Sequence, residues 1–252
     1  SNKLHVSFNK GDDWSFNSKD LTKGIKIGNV PYGTLTSIDE SVFKFGKIVV
    51  GSDDGLVNLS NDGGNSWKLI SNKLPSNLWV SRVVFSNHNE NKIYVSLNGY
   101  RYDDFNGYLY VSDDNGENWK SIAKKLPISP INVIKEDPHF EDVLYVGTDN
   151  GSYISFDNGD NWDPFVSGLN KVAVHDIVIQ RKENHLLLGT HGRSIYKTDL
   201  SIIYNYLENI NKSKKGIVFQ TKDLKQCNSC GSKRYNWEEY FDPKIKVTVF
   251  SK

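Results

Sequence analysis

The residues best equipped for chemistry in this sequence are crowded into one repeated octapeptide. Ser112-Asp113-Asp114-Asn115-Gly116-Glu117-Asn118-Trp119 sets three carboxylates and two amides around a glycine. So oxygen-rich a stretch invites a calcium ion. A calcium loop needs several carboxylates converging at a spacing that ends in Glu, and this pattern lacks it. Turn chemistry accounts for the same residues. A short carboxylate accepts bonds from backbone N–H groups two or three residues on, and glycine takes the left-handed position. A serine adds a local bond, and the indole folds back over the hairpin as a large apolar cover with one N–H donor. The pattern Ser-x-Asp-x-Gly-x-x-Trp occurs at Ser7, Asn9, Gly11, Trp14; at Ser60, Asp62, Gly64, Trp67; at Ser112, Asp114, Gly116, Trp119; and at Ser155, Asp157, Gly159, Trp162, with Asn9 in place of Asp in the first copy. The boxes are expected to be structural, with no metal and no cofactor.

Two other groups of residues are candidates for ligand binding. An insertion lengthens one hairpin: Tyr100, Arg101, Tyr102, Asp103, Asp104, Phe105 and, after Asn106 and Gly107, Tyr108. Its rings offer a stacking platform for a sugar or peptide, with Arg101, Asp103 and Asp104 as polar contacts. The competing reading packs the rings on their own sheet and pairs Arg101 with Asp103 or Asp104. The second group is Ser37, Arg82, Asn132 and Asp176, aligned at one position of successive repeats. On innermost strands they would ring a central channel. There they would hold a small polar ligand, or Arg82 and Asp176 would orient each other through Asn132; the competing reading is a water-filled polar channel. His191 and Arg193 in Thr-His-Gly-Arg have no Ser or Cys nucleophile motif beside them, so a turn with a surface Arg is expected. His175 and Asp176 are neighbours on a strand, point to opposite faces and make no dyad. Cys227 and Cys230 form one C-x-x-C; a zinc ribbon needs a second pair, so a local disulfide or two spare thiols is expected.

The elements that must position these groups follow from the repeat. Successive box serines lie 53, 52 and 43 residues apart, a period that signals a propeller or solenoid. Before each later box comes an apolar run, a tight Asp-Gly or Asn-Gly turn and a second run, as in Lys47–Ser60 and Val143–Ser155. Such turns are expected to be type I′, with both central residues at positive φ. Upstream lies another run, as in Trp79–Phe85. Four short antiparallel strands per unit predict an all-β propeller. A half blade at 1–16 precedes blades at about 33–71, 78–123, 129–166 and 172–199. The last box is degenerate: Asp199 sits where Asp157 does, without the Gly and Trp. An extension over 201–252 is expected to hold a helix at 201–211, with Ile202, Ile203, Tyr206, Leu207 and Ile210 on one face, and a strand at 244–250 that starts another β domain. A blade has two faces to bury, and only neighbouring blades cover them. These units do not close a usual ring, so the remaining blades are expected from the same parent protein or from another chain.

The four boxes with their Gly-Thr-Asp-x-Gly hairpins resemble the Asp-box (BNR) repeat β-propellers, which include sialidases, the sortilin ectodomain and two-propeller xyloglucan hydrolases. Leu97–Tyr110 and Gly189-Thr-His-Gly-Arg-Ser-Ile-Tyr196 are similar to large secreted bacterial proteins described as sortilin-like or glycosyl-hydrolase-like. The resemblance spans roughly 1–200. It implies a secreted or cell-surface bacterial protein whose propeller binds glycan or protein. The alternative is one wall of a glycoside hydrolase cleft completed by sequence outside this chain. No catalytic residue carries over: the Phe/Tyr-Arg-Ile-Pro motif of sialidases is absent, and five scattered arginines do not make their cluster. Composition narrows the partners. With 31 Lys+Arg against 30 Asp+Glu the surface has no bulk pull toward nucleic acid. No apolar run approaches the roughly 18 residues of a membrane span.

Overall fold

A computed structural model describes residues 1–16, 18–24, 33–165, 171–210, 216–219, 235, 237 and 249–251. It divides into two compact units, Ser1–Thr198 and Asp199–Lys252. The first is all-β. A two-stranded pair, β1 (His5–Val6) and β2 (Ser15–Phe16), precedes three four-stranded antiparallel sheets. The first sheet is β3 (Leu35–Glu40), β4 (Ile48–Ser52), β5 (Val57–Ser60) and β6 (Lys68–Leu69). The second is β7 (Trp79–Phe85), β8 (Ile93–Gly99), β9 (Asp104–Ser112) and β10 (Lys120–Ser121). The third is β11 (Ile131–Glu136), β12 (Leu144–Thr148), β13 (Gly151–Ser155) and β14 (Asp163–Pro164). A three-stranded sheet of β15 (Val174–Gln180), β16 (His185–Thr190) and β17 (Ile195–Asp199) follows. Each sheet is a meander of neighbouring strands, the arrangement that short turns impose on consecutive antiparallel runs. We call them blades 1 to 4.

Burial shows why the blades stack. Strands β8, β12 and β13 are buried at every residue, which happens when both faces of a sheet are covered. One core lies between blades 1 and 2, where Val49, Val57, Leu59 and Ile70 meet Val80, Val83, Val95 and Leu97. The next lies between blades 2 and 3, where Leu109, Val111 and Ile122 meet Ile131, Ile134, Leu144 and Trp162. Strand β15 instead alternates, with Val174 and Ile177 buried but His175, Asp176 and Val178 exposed.

Each innermost strand carries a β-bulge at one repeat position, between Leu35 and Ser37, Val80 and Arg82, Ile131 and Val133, and Val174 and Asp176. The bulge aims the extra residue at the next blade. Thr36 Oγ1 donates to the Val80 carbonyl at 2.7 Å, Ser81 Oγ to that of Ile131 at 2.7 Å, and Asn132 Nδ2 to that of Val174 at 3.4 Å. The second strands approach closely at the same level. A Cβ on Gly51 would sit 2.3 Å from Val80 Cγ1, and one on Gly147 would sit 2.7 Å from the Val174 carbonyl oxygen.

The boxes fold as turns, with a geometry that refines the expectation. The serine is their centre: its Oγ donates to the Asp or Asn at 2.8–2.9 Å and accepts the glycine N–H at 2.7–2.8 Å. The Asp accepts from the backbone four residues on, at Ser66, Asn118 and Asn161, rather than two or three. The glycines take φ of 98°, 94°, 84° and 86°. The indoles of Trp119 and Trp162 do more than cover their own hairpins. Each donates to the preceding blade, to the carbonyls of Ile70 at 2.9 Å and Ile122 at 2.8 Å. Trp67 Nε1 stays local on Gly64, and Trp14 is 64% exposed. The Asp-Gly and Asn-Gly turns are not type I′: Gly55 and Gly151 have positive φ, but Asp54 and Asn150 do not.

In the second unit a helix α1 spans Ser201–Asn209, after Asp199 Oδ1 accepts the Ser201 N–H at 2.8 Å. Its buried residue is Tyr204, which lies off the expected Ile202–Ile210 stripe; Ile202 is exposed. Strand β18 (Gly216–Val218) pairs with β19 (Val249–Ser251). Residues 244–248 of the expected strand, Cys227 and Cys230 lie outside the described residues.

Two predictions follow from these contacts. Gly147→Ala forces a methyl against Val174 of the next blade and is expected to cost about 1–3 kcal/mol in urea unfolding. The carboxyls of Asp62 and Asp114 are held at about 2, below the ordinary 3.8, chiefly by hydrogen bonds from Ser66 and Asn118. A folded-state pKa below the unfolded one stabilises above about pH 4 and ceases to do so as pH falls toward 2. The double variant Asp62→Asn/Asp114→Asn should therefore show a shallower loss of stability over pH 4 to 2 than the wild type, measured by thermal melts along a pH series.

Candidate functional site

The register separates the expected inner row. Ser37 pairs with Gly51, Arg82 with Ser96 and Asp176 with Gly189, all one residue after the bulge, where blade 3 has Val133 opposite Gly147. Asn132 is itself the bulge residue, equivalent to Thr36, Ser81 and His175. The alignment of Asn132 with Ser37, Arg82 and Asp176 is thus off by one residue, because a bulge shifts every later side chain to the other face. Arg82 Nη2 meets Asp176 Oδ1 directly at 2.9 Å, from blade 2 to blade 4, with no mediation by Asn132. Ser37 is spent on the next blade's backbone, accepting from the Val83 N–H at 3.0 Å.

The insertion also divides. Residues Tyr100–Tyr102 form a 3-10 turn, closed by Asp103 at φ 57°. Asp104 is its clamp: it accepts from the Tyr108 hydroxyl at 2.7 Å and from the Asn106 backbone and side chain at 3.1 and 2.7 Å. These donors hold its carboxyl below the usual range, and the Tyr108 hydroxyl is pushed up in turn. Tyr108 packs on the core between blades 1 and 2, while Tyr102 and Phe105 are exposed. Arg101 pairs with neither Asp103 nor Asp104. Its guanidinium lies over the Trp79 ring, 4.8 Å from the centroid.

That stack forms one wall of a pocket of about 540 Å³ spanning blades 2, 3 and 4, lined by Trp79, Asn98, Tyr100, Arg101, Asn132, Asp149, Ala173, His175 and His191. Of the residues proposed for binding from sequence, it gathers Tyr100, Arg101 and Asn132. A directed chain of hydrogen bonds crosses its floor. The Tyr100 N–H donates to Asn98 Oδ1 at 3.0 Å, Asn98 Nδ2 to Asn132 Oδ1 at 3.0 Å, and Asn132 Nδ2 to Asp149 Oδ1 at 2.8 Å. The chain orients Asp149, the pocket's one lining carboxylate. Opposite it the His175 and His191 rings lie 5.5 Å apart. Two residues of the lining each hold a buried donor, Trp79 Nε1 and Arg101 Nη1, with no hydrogen-bond partner among the described residues. A buried unpaired donor costs about 1–3 kcal/mol. Among the described residues no group of three His, Cys, Asp or Glu could hold a metal ion.

Sequence reasoning missed Trp79, Asn98 and Asp149 and set aside both histidines. The usable signal was the position two residues after the one opposite each inner-strand bulge: Asp53, Asn98, Asp149 and His191 occupy it in successive repeats, and three of them line the pocket. Asn132 and His175 come from the bulge position. Both rows vary in chemistry while the flanking residues repeat.

No family model matches the chain. Among solved structures it is similar to an ancestral GH74 enzyme, with TM-score 0.60 and 18% identity over 79% of this chain and 27% of that one. It is also similar to the GH74 enzyme of Niastella koreensis, with TM-score 0.57 and 13% identity over 68% and 29%. At these identities the likeness establishes the fold: the sheets are β-propeller blades, and they do not close into a ring among the described residues. In sequence the chain is similar to vacuolar protein sorting/targeting protein 10 of Debaryomyces hansenii, 27% identical over 153 residues that cover 51% of this chain and 9% of that protein. The chain is a propeller module and spans only a small part of each of these proteins.

The pocket floor and the channel pair should differ sharply on mutation. Asn132→Ala strands the buried Asn98 amide and is expected to cost about 1–3 kcal/mol. Arg82→Met removes a half-exposed ion pair and is expected to cost under about 1 kcal/mol. Equilibrium unfolding of the two variants checks the order.

Proposed function

We propose that this chain is the binding module of a secreted or cell-surface bacterial protein, an Asp-box propeller that recognises glycan or protein in the pocket between blades 2, 3 and 4. The observation that carries the reading is the pocket itself, where the stacked Arg101 and Trp79 converge with Asp149, His175 and His191. A guanidinium, two imidazoles and a fixed carboxylate in one pocket suit a ligand with closely spaced oxygens, such as a sugar ring or a peptide end. Tyr100, half exposed at the rim, adds an apolar face. Such a pocket resembles ligand sites in general, where a few convergent polar groups fix orientation.

Glycoside hydrolysis is served less well. It uses two carboxylates flanking the scissile bond, and Asp149 alone lines this pocket. A hydrolase cleft would need its second carboxylate from sequence outside this chain. Among the described residues no helix is long and apolar enough to cross a membrane. The extracellular assignment rests on the similarity to the sorting protein and to GH74 enzymes, and is part of the proposal.

A glycan array and a pull-down from bacterial surface extract, each with the intact chain, test the reading. Retained ligand should bind Arg101→Ala and Asp149→Asn about tenfold or more weaker, since a hydrogen bond to a charged group is worth roughly 1.5–3 kcal/mol. Tyr102→Ala, outside the pocket, should bind as wild type. Binding that survives both pocket variants, or turnover of a bound glycan by the chain alone, overturns the reading.

A further inference from the structure

The sequence holds five Asn-Gly pairs, at Asn98, Asn106, Asn115, Asn150 and Asn158. Each carries a latent reaction, attack of the glycine backbone nitrogen on the asparagine Cγ, because glycine has no Cβ to crowd the closing ring. The fold restrains four of the five. Asn98 is 2% exposed, and its carboxamide is tied at both ends, to the Tyr100 N–H and to Asn132. In two boxes the attacking nitrogen is engaged. The buried Gly116 N–H donates to Ser112 Oγ and the buried Gly159 N–H to Ser155 Oγ, both at 2.8 Å. The amides of Asn115 and Asn158 are also held, by Asn91 and Asp142. Gly151 is buried in the ladder opposite Thr148, and the Asn150 amide donates to Ser129 Oγ at 3.2 Å. Asn106 is different. It is exposed, and the register jumps from Leu97 opposite Tyr108 to Gly99 opposite Asp104, so Phe105, Asn106 and Gly107 bulge out of the ladder. Its amide donates to Asp104 Oδ1 at 2.7 Å.

We propose that Asn106 is a self-modification site, converted to aspartate or isoaspartate in the folded chain, and that the conversion releases the insertion that carries Arg101. The Gly107 nitrogen gives up its proton and bonds to Asn106 Cγ. The Cγ–Nδ2 bond breaks, and the amide nitrogen takes a proton and leaves as ammonia. Water then opens the cyclic imide at either carbonyl, so the net change is water gained for ammonia lost. The aspartate product replaces an amide donor by a carboxylate, which only accepts when ionised. It faces Asp104, which also holds the Asn106 N–H and the Tyr108 hydroxyl. Like charges at such a distance repel, and the isoaspartate product instead lengthens the backbone there by one carbon. Either way the clamp beside the 3-10 turn loses a bond, and the stack of Arg101 on Trp79 opens more often. The pocket wall thus loosens with the age of the chain. The inference rests on the geometry of the insertion and is independent of the pocket's ligand.

The folded chain is incubated at neutral pH in oxygen-18 water and mapped by peptide mass spectrometry. Asn106 and Asn115 share the tryptic peptide Tyr102–Lys120 and are separated by fragmentation. Label should enter at position 106 ahead of 98, 115, 150 and 158, and at all five alike once the chain is unfolded in urea. Label that enters first at any of the other four, or at none of them in the folded chain, overturns the site. The release is read on Asn106→Asp by limited trypsin digestion of the folded chain. Cleavage after Arg101 should be about tenfold faster than in the wild type, the change in open population that loss of a hydrogen bond to a charged group produces. Unchanged cleavage after Arg101 overturns the release, whatever the variant's melting temperature. Cleavage that rises equally after Lys120 marks general unfolding and overturns it too.

Discussion

A blade of this propeller cannot bury itself, and that constraint organises the rest. Its middle strands are apolar on both faces, so half of each blade's burial comes from a neighbour. The contact is made specific by a few polar bonds that all run one way. The bulge residue of each inner strand reaches forward to a carbonyl of the next blade. The box indoles of Trp119 and Trp162 reach backward to the outer edge of the preceding one. Bonds at the inner and outer ends of a sheet fix its angle to its neighbour, which apolar packing alone leaves free. The surface repeats the theme weakly: Lys68 meets Glu117 and Lys120 meets Asp160, each joining one blade to the next box. Exposed pairs of this kind add little stability.

How legible all this was depended on whether a position's job was local. The box could be read because serine, aspartate and glycine make their bonds within five residues. The Asp reaches one residue further along the turn than expected, and the reach of the indole was missed, since its partner, Ile70 or Ile122, lies 49 or 40 residues away. The four-strand unit could be read for the same reason. The bulge could not. One residue of slip leaves hydrophobic pattern and length almost unchanged, so Asn132 was placed beside Arg82 and Asp176 when it belongs with Ser81 and His175. Glu136 shows a further limit. Nothing in its sequence context marks it as buried, yet it is 1% exposed and is held by Ser86 and the Tyr94 hydroxyl of blade 2. Burial and that carboxylate together push the Tyr94 hydroxyl far above its ordinary value.

The same logic explains why the pocket lies where it does. In a repeat protein the positions that hold blade to blade are restricted in every copy. Positions near the strand ends at the bulge level are less restricted. Here the rim rows run Asp53, Asn98, Asp149, His191 and Thr36, Ser81, Asn132, His175. Asp53 still has a structural bond to the Thr34 N–H, and Thr36 and Ser81 are occupied by the next blade. In blades 3 and 4 Asn132, Asp149, His175 and His191 line the pocket between three sheets, although Asn132 also keeps its bond to Val174 of the next blade.

What keeps such a pocket ready is the wall that blade 2 contributes. Arg101 carries a long side chain whose ordering has an entropic cost, and its stacking on Trp79 offsets part of it, by about 0.5–2 kcal/mol. The 3-10 turn and the Asp104 clamp fix the backbone that carries it. The guanidinium is thus placed in the lining before anything enters the pocket. The two aromatic-rich expectations for the insertion are therefore parts of one arrangement. Tyr108 packs on its own blade, and Tyr100 and Arg101 line the pocket.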